Sequence, residues 1–313
     1  MDTQHTNDQT FDPSRPVPAA LAAAAPGQVR DADRADRAAA ATAWLCATCG
    51  VQYDPSLAPP AHCPVCEDER QYVGFAGQQW TRLGDLQQRF TNEFAALEPG
   101  LTSIQTRPGF AIGQRAFLIE TPEGNVLWDC LSVIDDASIA WIEERGGIAA
   151  IAISHPHFFG AMIEWSHAFG RAPIWIHERD RRWVQRSDGA LRTWSGTSLP
   201  LLADLSLVHV GGHFEGSQVL HWPRGAGGRG ALFTGDLPNV CSDRRWVTFM
   251  RSYPNFIPLA AHEIERVAAA LRPYAFDRIY GWSPQRTLET DAKRAVERSA
   301  ERQIRAMRGG QDG

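Results

Sequence analysis

The segment IAAIAISHPHFFG, residues 148–160, leads an apolar run directly into two histidines. The run IAAIAIS (Ile148–Ser154) is typical of a strand buried on both faces of a sheet. His155 and His157 follow at i and i+2 on the loop that leaves this strand, where both imidazoles can face one metal ion. Pro156 stiffens the loop and lowers the entropy lost on ligation. The segment therefore predicts a metal-binding loop at the end of a buried strand.

Two later segments place a histidine and a carboxylate after predicted strands. The predicted strand LSLVHV leads into the loop GGHFEGS, residues 211–217, which contains His213. The predicted strand ALFTG, residues 231–235, is followed directly by Asp236. An HxH spacing alone is common in a chain with ten histidines. The order and strand-end placement of the three segments together are specific.

The succession of strand, HxH loop, GH..GS loop, strand and GD pair resembles the metallo-β-lactamase superfamily over roughly Pro108 to Ala292. The resemblance implies an α/β fold of the αβ/βα sandwich type. It also implies that His155, His157 and His213 bind the first metal ion. Asp236 is then the carboxylate that approaches or bridges the metal.

The chain departs from the superfamily at the second metal site. The superfamily pattern is HxHxDH, whereas Phe159 and Gly160 stand here at the positions of the aspartate and the last histidine. A further histidine is expected after the late strand FDRIYG, but the sequence there is YGWS, residues 280–283. We therefore expect a mononuclear site with a degenerate second metal position.

Three imidazoles and one carboxylate leave room for water on a single zinc ion. Such an open site lowers the pKa of bound water to ~7 and polarises a carbonyl or phosphoryl oxygen. Asp236 is the candidate catalytic residue, because its carboxylate would orient that water. If Asp236 instead completes the coordination shell, no position stays open and the site is structural.

Four of the six cysteines form two CxxC pairs near the N-terminus. Cys46 and Cys49 are separated from Cys63 and Cys66 by 13 residues. Each pair directs two sulfurs at one ion, and two pairs complete a tetrahedral thiolate site at ~2.3 Å. The segment resembles a rubredoxin-like zinc ribbon. The matching positions are Gly50, Tyr53, Asp54, Pro55 and Pro64.

Thiolate ligation alone does not separate zinc from iron. Zinc is favoured because the chain carries no flavin or nucleotide signature that would provide an electron partner for iron. We expect one Zn²⁺ ion in the ribbon and one at the histidines, with iron as the alternative.

The chain divides into three parts. Residues 1–42 contain almost no large hydrophobic residues, which predicts a disordered tail. Residues 43–80 hold the cysteines and few aliphatic runs, as expected of a zinc-ribbon module that is stabilised by metal. From residue 100 to residue 313, strand and helix patterns alternate, which predicts a layered domain with a mixed sheet and outer helices.

Composition and charge exclude several classes of protein. With 43% hydrophobic and 21% charged residues, the 313-residue chain has a globular composition, unlike a coiled coil or collagen. Its net charge of -5 gives no basic field, so no nucleic-acid partner is expected. No apolar run approaches the ~18 residues of a membrane span, and the N-terminus has no signal-peptide pattern. We therefore expect a cytoplasmic protein without a membrane partner.

Other polar residues are further candidates for the site. Glu164 follows the HxH loop on a predicted helix and is either a substitute ligand or base, or a helix-surface or capping carboxylate. His177 ends the predicted strand PIWIH. It either reaches the same sheet edge as the site, supports the site by a hydrogen bond, or is structural. Two groups of arginines either clamp an anionic substrate or form surface salt bridges. They are Arg179, Arg181 and Arg182, and Arg244 and Arg245.

Three functions are compatible with these motifs, and the fold alone does not choose among them. The first is a zinc hydrolase that acts on an ester, thioester, lactone, amide or phosphoester of a small-molecule substrate. The second is a non-catalytic metal-binding or scaffold protein. The third is a ribbon-linked oxidoreductase, which is disfavoured because a di-iron site needs the ligands that are missing here.

Replacing Cys46 and Cys63 together by serine tests the ribbon. Metal binding by thiolates contributes ~10 to 16 kcal/mol of apparent free energy in small zinc modules. The double variant should therefore lose ordered structure over residues 44–72, while the α/β domain stays folded. Limited proteolysis with mapped cleavage sites measures this, and Cys241→Ser is the control. Wild-type resistance of this segment in the double variant would contradict the assignment.

Overall fold

The structure, a computed structural model, describes residues 42–309. Of the predicted tail, residues 1–42, only Thr42 is among the described residues. None of the helices in the described part has the length and apolar character that crossing a bilayer requires.

Strands and helices alternate along the described chain. The strands are β1 (Ala43–Cys46), β2 (Gln52–Pro55), β3 (Trp80–Arg82), β4 (Thr91–Glu98), β5 (Leu101–Arg107), β6 (Arg115–Ile119), β7 (Val126–Trp128), β8 (Ala150–Ala152), β9 (Ile174–His177), β10 (Leu191–Trp194), β11 (Ser198–Pro200), β12 (Ser206–His209), β13 (Gln218–Trp222), β14 (Ala231–Gly235), β15 (Asn239–Val240), β16 (Val247–Thr248), β17 (Met250–Ser252), β18 (Ile257–Pro258), β19 (Arg278–Gly281) and β20 (Thr287–Leu288). The helices are α1 (Pro64–Glu67), α2 (Leu83–Gln87), α3 (Asp136–Glu143), α4 (Met162–Ala168), α5 (Ala261–Leu271) and α6 (Ala292–Met307). Short 3-10 turns lie at Pro156–Phe158, Glu178–Trp183 and Pro284–Arg286, and a glycine-rich turn lies at Gly225–Gly228.

Two mixed sheets form the body. The seven-stranded sheet has the order β10-β9-β8-β7-β6-β5-β4; its strands are antiparallel from β4 to β7 and parallel from β7 to β10. The six-stranded sheet has the order β11-β12-β13-β14-β19-β20, in which only β14 and β19 are parallel neighbours. The predicted mixed α/β fold is confirmed.

Strand β8 shows how the two sheets pack. Ala150 and Ala152 belong to a buried cluster that also contains Phe233 of the six-stranded sheet. Ile151, between them, belongs to a different cluster with Trp165 of helix α4. Because successive side chains of a strand point to opposite faces, one face of β8 contacts the other sheet and the other face lies under a helix.

The six-stranded sheet repeats this arrangement. Phe233 of β14 packs edge-on against Phe117 of β6, with 5.0 Å between the ring centroids, which joins the two sheets. Leu232, its neighbour, lies in a cluster with Ile264 of α5 and Val296 of α6. Helices therefore cover the outer faces of both sheets, as an αβ/βα sandwich requires.

The cysteine-containing segment forms a small sheet with the order β2-β1-β3, which packs on the body. The Gln52 amide donates to the Gly160 carbonyl at 3.2 Å, just beyond the HxH loop. The Ser132 hydroxyl donates to the Gly50 carbonyl at 2.8 Å. The ribbon is therefore attached by hydrogen bonds to the loops at the ends of the body strands.

A buried ion pair reinforces this attachment. Glu164 of α4 accepts hydrogen bonds from Arg186 and, at 3.0 Å, from the Gln52 side chain of the ribbon. Arg186 also donates to the Gln52 side-chain oxygen at 2.6 Å. Glu164 and Arg186 are 7% and 5% exposed, so water does not screen the pair. Glu164 is thus neither a metal ligand nor a helix-surface carboxylate but a link between ribbon and body.

Replacing Glu164 by glutamine should destabilise the folded protein by about 3 kcal/mol or more, because it leaves the buried charge of Arg186 uncompensated. Urea unfolding measures the change. Glu265→Gln is the control, because Glu265 pairs with Arg308 at the surface, where both side chains are more than half exposed, and its loss should cost at most about 1 kcal/mol. Equal effects of the two substitutions would show that the pair at Glu164 does not hold the ribbon.

Candidate metal centres

The structure brings the three predicted histidines and Asp236 together at one edge of the sandwich. His155 directly precedes the 3-10 turn after β8, and His157 lies on that turn. His213 lies in the loop between β12 and β13, and Asp236 directly follows β14. One potential ligand atom from each of the four lies within 4.8 Å of the others. The ends of three strands therefore build one cluster from residues that are up to 81 positions apart in the sequence.

The carboxylate of Asp236 faces all three imidazoles. Its Oδ2 atom lies 3.2 Å from His155 Nε2, 3.6 Å from His213 Nε2 and 4.0 Å from His157 Nδ1. His213 Nε2 and His157 Nδ1 are 3.4 Å apart. Four donor atoms at these separations surround a space of the size that a metal ion occupies.

Hydrogen bonds orient two of the imidazoles toward this space. His213 Nδ1 donates to the Met250 carbonyl at 3.3 Å, so its Nε2 carries the free lone pair. His155 Nδ1 lies 2.9 Å from Ser154 Oγ, which leaves Nε2 facing the cluster. This Nε2 is buried and makes no hydrogen bond in the described part. Buried polar atoms are normally satisfied, so the cluster fits a bound metal ion.

The electrostatics of the cluster also suit a metal ion. Burial lowers the pKa of His157 to about 4 and holds the pKa of His213 well below its usual value, so both imidazoles are neutral at pH 7. Burial alone would raise the pKa of Asp236, but the neighbouring imidazoles of His155 and His157 outweigh it and hold that pKa well below the usual range. Neutral imidazoles and an ionised carboxylate are the protonation states that metal binding needs.

Glycine at position 235 is required by the close approach of the two metal-facing loops. Gly235 has a φ of +54°, and a Cβ atom there would lie 2.4 Å from Ser154 Oγ. The glycine therefore lets Asp236 reach His155 while Ser154 keeps its contact with the imidazole.

The positions of the second metal site have apolar surroundings. Phe158 and Phe159 are fully buried in the hydrophobic core. Gly160 has a φ of +49°, and a Cβ atom there would lie 2.7 Å from the Leu131 carbonyl oxygen. A ligand side chain at position 160 would thus require the chain around Leu131 to move.

Asp129 supports the HxH loop, and the sequence analysis missed it. It follows β7 with a φ of +60°, and its Oδ1 accepts a hydrogen bond from the Ser154 amide at 2.7 Å. Burial raises the pKa of Asp129 to about 8, which suits a fixed acceptor more than a charged ligand. The signal was an aspartate directly after the apolar strand VLW, the same pattern that marked Asp236.

The four predicted cysteines form a second cluster inside the ribbon. Cys46 and Cys66 sulfurs are 3.5 Å apart, and those of Cys49 and Cys63 are 3.7 Å apart. Four sulfurs placed 2.3 Å from one ion at tetrahedral corners would lie about 3.8 Å apart. All four are free thiols and at most 1% exposed. The cluster fits a zinc ribbon, as the spacing predicted.

A cavity of about 380 Å³ reaches the histidine cluster, and the ribbon supplies part of its wall. The lining residues are Thr48, Arg70, Gln71, Tyr72, Ala111, Ile112, His157, His213, Asp236, Asn239, Tyr253, Pro254, Trp282 and Arg286. A volume of this size accommodates a small ligand. The histidine cluster is therefore open on one side, unlike the thiol cluster.

Arg70 joins the ribbon to the His213 loop. Its guanidinium lies 4.2 Å from the centre of the Phe214 ring and donates to Glu215 at 3.2 Å. It also pairs with Asp68 at 2.6 Å, within the ribbon. The side chain is 2% exposed, so loop and ribbon are held together by a buried, neutralised cation. No sequence motif marked Arg70.

The remaining candidates lie outside the cluster. His177 stacks on His209, with ring centroids 3.9 Å apart, and burial lowers its pKa to about 4. Among the predicted arginines, Arg182 pairs with Glu215 at 3.1 Å. Arg245 pairs with Asp243 at 3.2 Å. None of these candidates lines the cavity, whose arginines are Arg70 and Arg286.

Comparisons with known proteins agree with this geometry. No protein-family model matches the chain. Among solved structures, it is similar to the DIM-1 metallo-β-lactamase, with a TM-score of 0.52 and 13% identity over 68% of this chain and 97% of DIM-1. VMB-1 gives a TM-score of 0.52 and 13% identity over 69% and 98% of the two chains. The metallo-β-lactamase FIM-1 from Pseudomonas aeruginosa, in its mono-zinc form, gives 0.50 and 16% over 68% and 96%.

Identities this low show the fold alone. The sequence itself is 46% identical over 266 residues to the uncharacterized protein YmaE of Bacillus subtilis (strain 168). That alignment covers 84% of this chain and 96% of YmaE. The chain therefore belongs to the family of YmaE and has the metallo-β-lactamase fold, together with an N-terminal four-cysteine module that fits a zinc ribbon.

Proposed function

We propose that the protein is a mononuclear zinc-dependent hydrolase that acts on an ester, thioester or related bond of a small molecule. The observation that carries this proposal is the cavity of about 380 Å³ that reaches His157, His213 and Asp236. A catalytic zinc site keeps one side open, whereas a structural site is closed by protein ligands. The buried thiol cluster has the closed arrangement, and the histidine cluster has the open one.

One zinc ion at the histidines is compatible with the fold. FIM-1, whose structure resembles this chain at a TM-score of 0.50, was crystallised in a mono-zinc form. In this chain His155, His157 and His213 would hold the ion with Asp236 beside it. A zinc ion held there would supply Lewis-acid polarisation of the scissile bond and would activate water.

Asp236 is the residue that we assign to orienting the attacking water. Its carboxylate stays ionised beside His155 and His157, so Oδ2 would accept a hydrogen bond from that water and assist its deprotonation. The Ser154 and Met250 contacts hold His155 and His213 in place while this happens. Behind them, the buried Phe158 ring excludes water from the protein side of the cluster.

Purified protein should contain about two zinc ions per chain, one in each cluster. Elemental analysis of protein prepared without added metal measures this number. His157→Ala should retain only the ribbon ion, and Cys46→Ser with Cys63→Ser should retain only the ion at the histidines. A wild-type value near three would mean that other residues rebuild the second site, and iron with a red colour would mean that the ribbon is not a zinc ribbon.

The reaction should depend on Asp236 more strongly than metal binding does. Asp236→Asn should keep most of the zinc and lower turnover by roughly 100-fold or more, because the neutral amide lacks the charge that orients the water and assists its deprotonation. His157→Ala should abolish both the zinc at this site and the activity. Turnover is measured on thioesters and on activated esters such as p-nitrophenyl acetate.

Asp243→Asn is the matched control, because Asp243 pairs with Arg245 and does not line the cavity. It should leave turnover unchanged. If the zinc-loaded wild type hydrolyses nothing across a broad panel, the hydrolase proposal is wrong and a scaffold role takes its place. If Asp236→Asn leaves turnover at the wild-type level, Asp236 does not orient the attacking water.

A further inference from the structure

The cavity beside the histidines contains a cation that lacks a carboxylate partner. Arg286 lies on the 3-10 turn after β19 and lines the cavity. Its Nη1 atom donates to the Val240 carbonyl at 2.9 Å and to Ser242 Oγ at 3.3 Å. Within residues 42–309, no Asp or Glu lies within ion-pair distance of Arg286, and its Nε and Nη2 groups have no acceptor. The guanidinium is thus anchored by neutral groups and keeps its charge uncompensated.

The other charged residues of the cavity do not neutralise it. Arg70 is paired with Asp68 at 2.6 Å and with Glu215 at 3.2 Å. Asp236 faces the three histidines, where its charge is directed at a bound metal. Since a divalent ion adds two positive charges, the cavity as a whole favours an anionic ligand.

A second buried side chain of the cavity, that of Asn239, interacts with Tyr253 but has an unpaired oxygen atom. Asn239 lines the same cavity and is 4% exposed, and its Oδ1 makes no hydrogen bond in the described part. It directly precedes Val240, whose carbonyl anchors the Arg286 guanidinium, so this guanidinium lies close to the backbone at Asn239. Because an unsatisfied buried oxygen is costly, a ligand that donates an O–H or N–H group to Asn239 would relieve that cost.

We propose that the substrate carries a carboxylate that binds the Nε and Nη2 edge of Arg286, with a donor group that binds Asn239 Oδ1. The two free N–H groups of that edge match the two oxygens of a carboxylate in a bidentate pair. A carboxylate suits this subsite better than a phosphate dianion, because one free guanidinium edge provides donors for two oxygens only. The inference rests on the proposed function, in which the reacting bond lies at the histidine end of the same cavity.

Calorimetric titration with two matched small molecules tests the subsite apart from turnover. N-acetylglycine offers a carboxylate and an N–H group, whereas N-acetylglycinamide is its neutral counterpart. Zinc-loaded wild-type protein should bind N-acetylglycine at least 10-fold more tightly than the amide. Arg286→Gln should remove that preference at unchanged zinc content. Arg286→Lys should keep part of the preference, because lysine has the positive charge but not the paired N–H groups of a guanidinium.

Arg245→Gln is the control, because Arg245 is exposed, pairs with Asp243 and lies outside the cavity lining. It should bind both probes as the wild type does. Equal binding of the probes by the wild type, an unchanged preference in both Arg286 variants, or tighter binding of inorganic phosphate than of N-acetylglycine would overturn the proposal. So would a preference that disappears in His157→Ala but not in Arg286→Gln, which would place the carboxylate at the metal.

The two proposals fail in different ways. An Arg286-dependent preference without hydrolysis of any ester or thioester would support the carboxylate subsite and remove the hydrolase. Hydrolysis that depends on Asp236, with no preference for the charged probe, would support the hydrolase and remove the subsite.

Discussion

Ser154 is the point at which three strand ends meet, and the position of the histidine cluster depends on its contacts. Its amide donates to Asp129 at the end of β7, and its hydroxyl contacts the His155 imidazole. At the end of β14, Gly235 leaves space for that hydroxyl, since a Cβ atom would lie 2.4 Å from it. The ends of β7, β8 and β14 are thereby held in one arrangement, and Asp236 reaches the imidazoles because of it.

The two candidate metal centres differ in how the chain surrounds them. The four thiols are enclosed by the ribbon, with at most 1% of each cysteine exposed. The histidine cluster borders a cavity whose wall includes Arg70, Gln71 and Tyr72 from the same ribbon. Arg70 contacts Phe214 and Glu215 on the loop of His213. We infer that the closed centre shapes the open one, because the ribbon forms part of the cavity that a substrate would enter.

Local sequence motifs predicted which residues form the two metal-binding clusters. Contacts between segments that are distant in the sequence were not predicted. The cysteine pairs and the HxH turn have ligand spacings of a few residues, so the sequence displays them directly. Arg70, Asn239 and Arg286 act through contacts with distant segments, and no spacing marks them. Glu164 was considered as a ligand because it lies near the HxH loop in sequence, but its partners are Arg186 and Gln52.

The prediction of the fold was limited in the same way, since it succeeded where the sequence pattern is local. The buried strand β8 was predictable because its residues are apolar throughout, and the order of strands and motifs indicated the sandwich. The long hairpin of β4 and β5 was not predicted, since half of the residues of β4 (Thr91–Glu98) are exposed, none is buried, and its pairing with β5 is what orders it. An edge strand of this kind carries little signal in its own sequence.

X-ray absorption at the zinc edge tests the central claim, that one chain holds a closed thiolate centre and an open histidine centre. The zinc-loaded wild type should show two ligand distances, near 2.3 Å for sulfur and near 2.0 Å for nitrogen and oxygen. In Cys46→Ser with Cys63→Ser, the sulfur distance should disappear while the nitrogen and oxygen distance remains. A wild-type spectrum with sulfur ligands alone would contradict the claim, because the histidines and Asp236 would then hold no zinc.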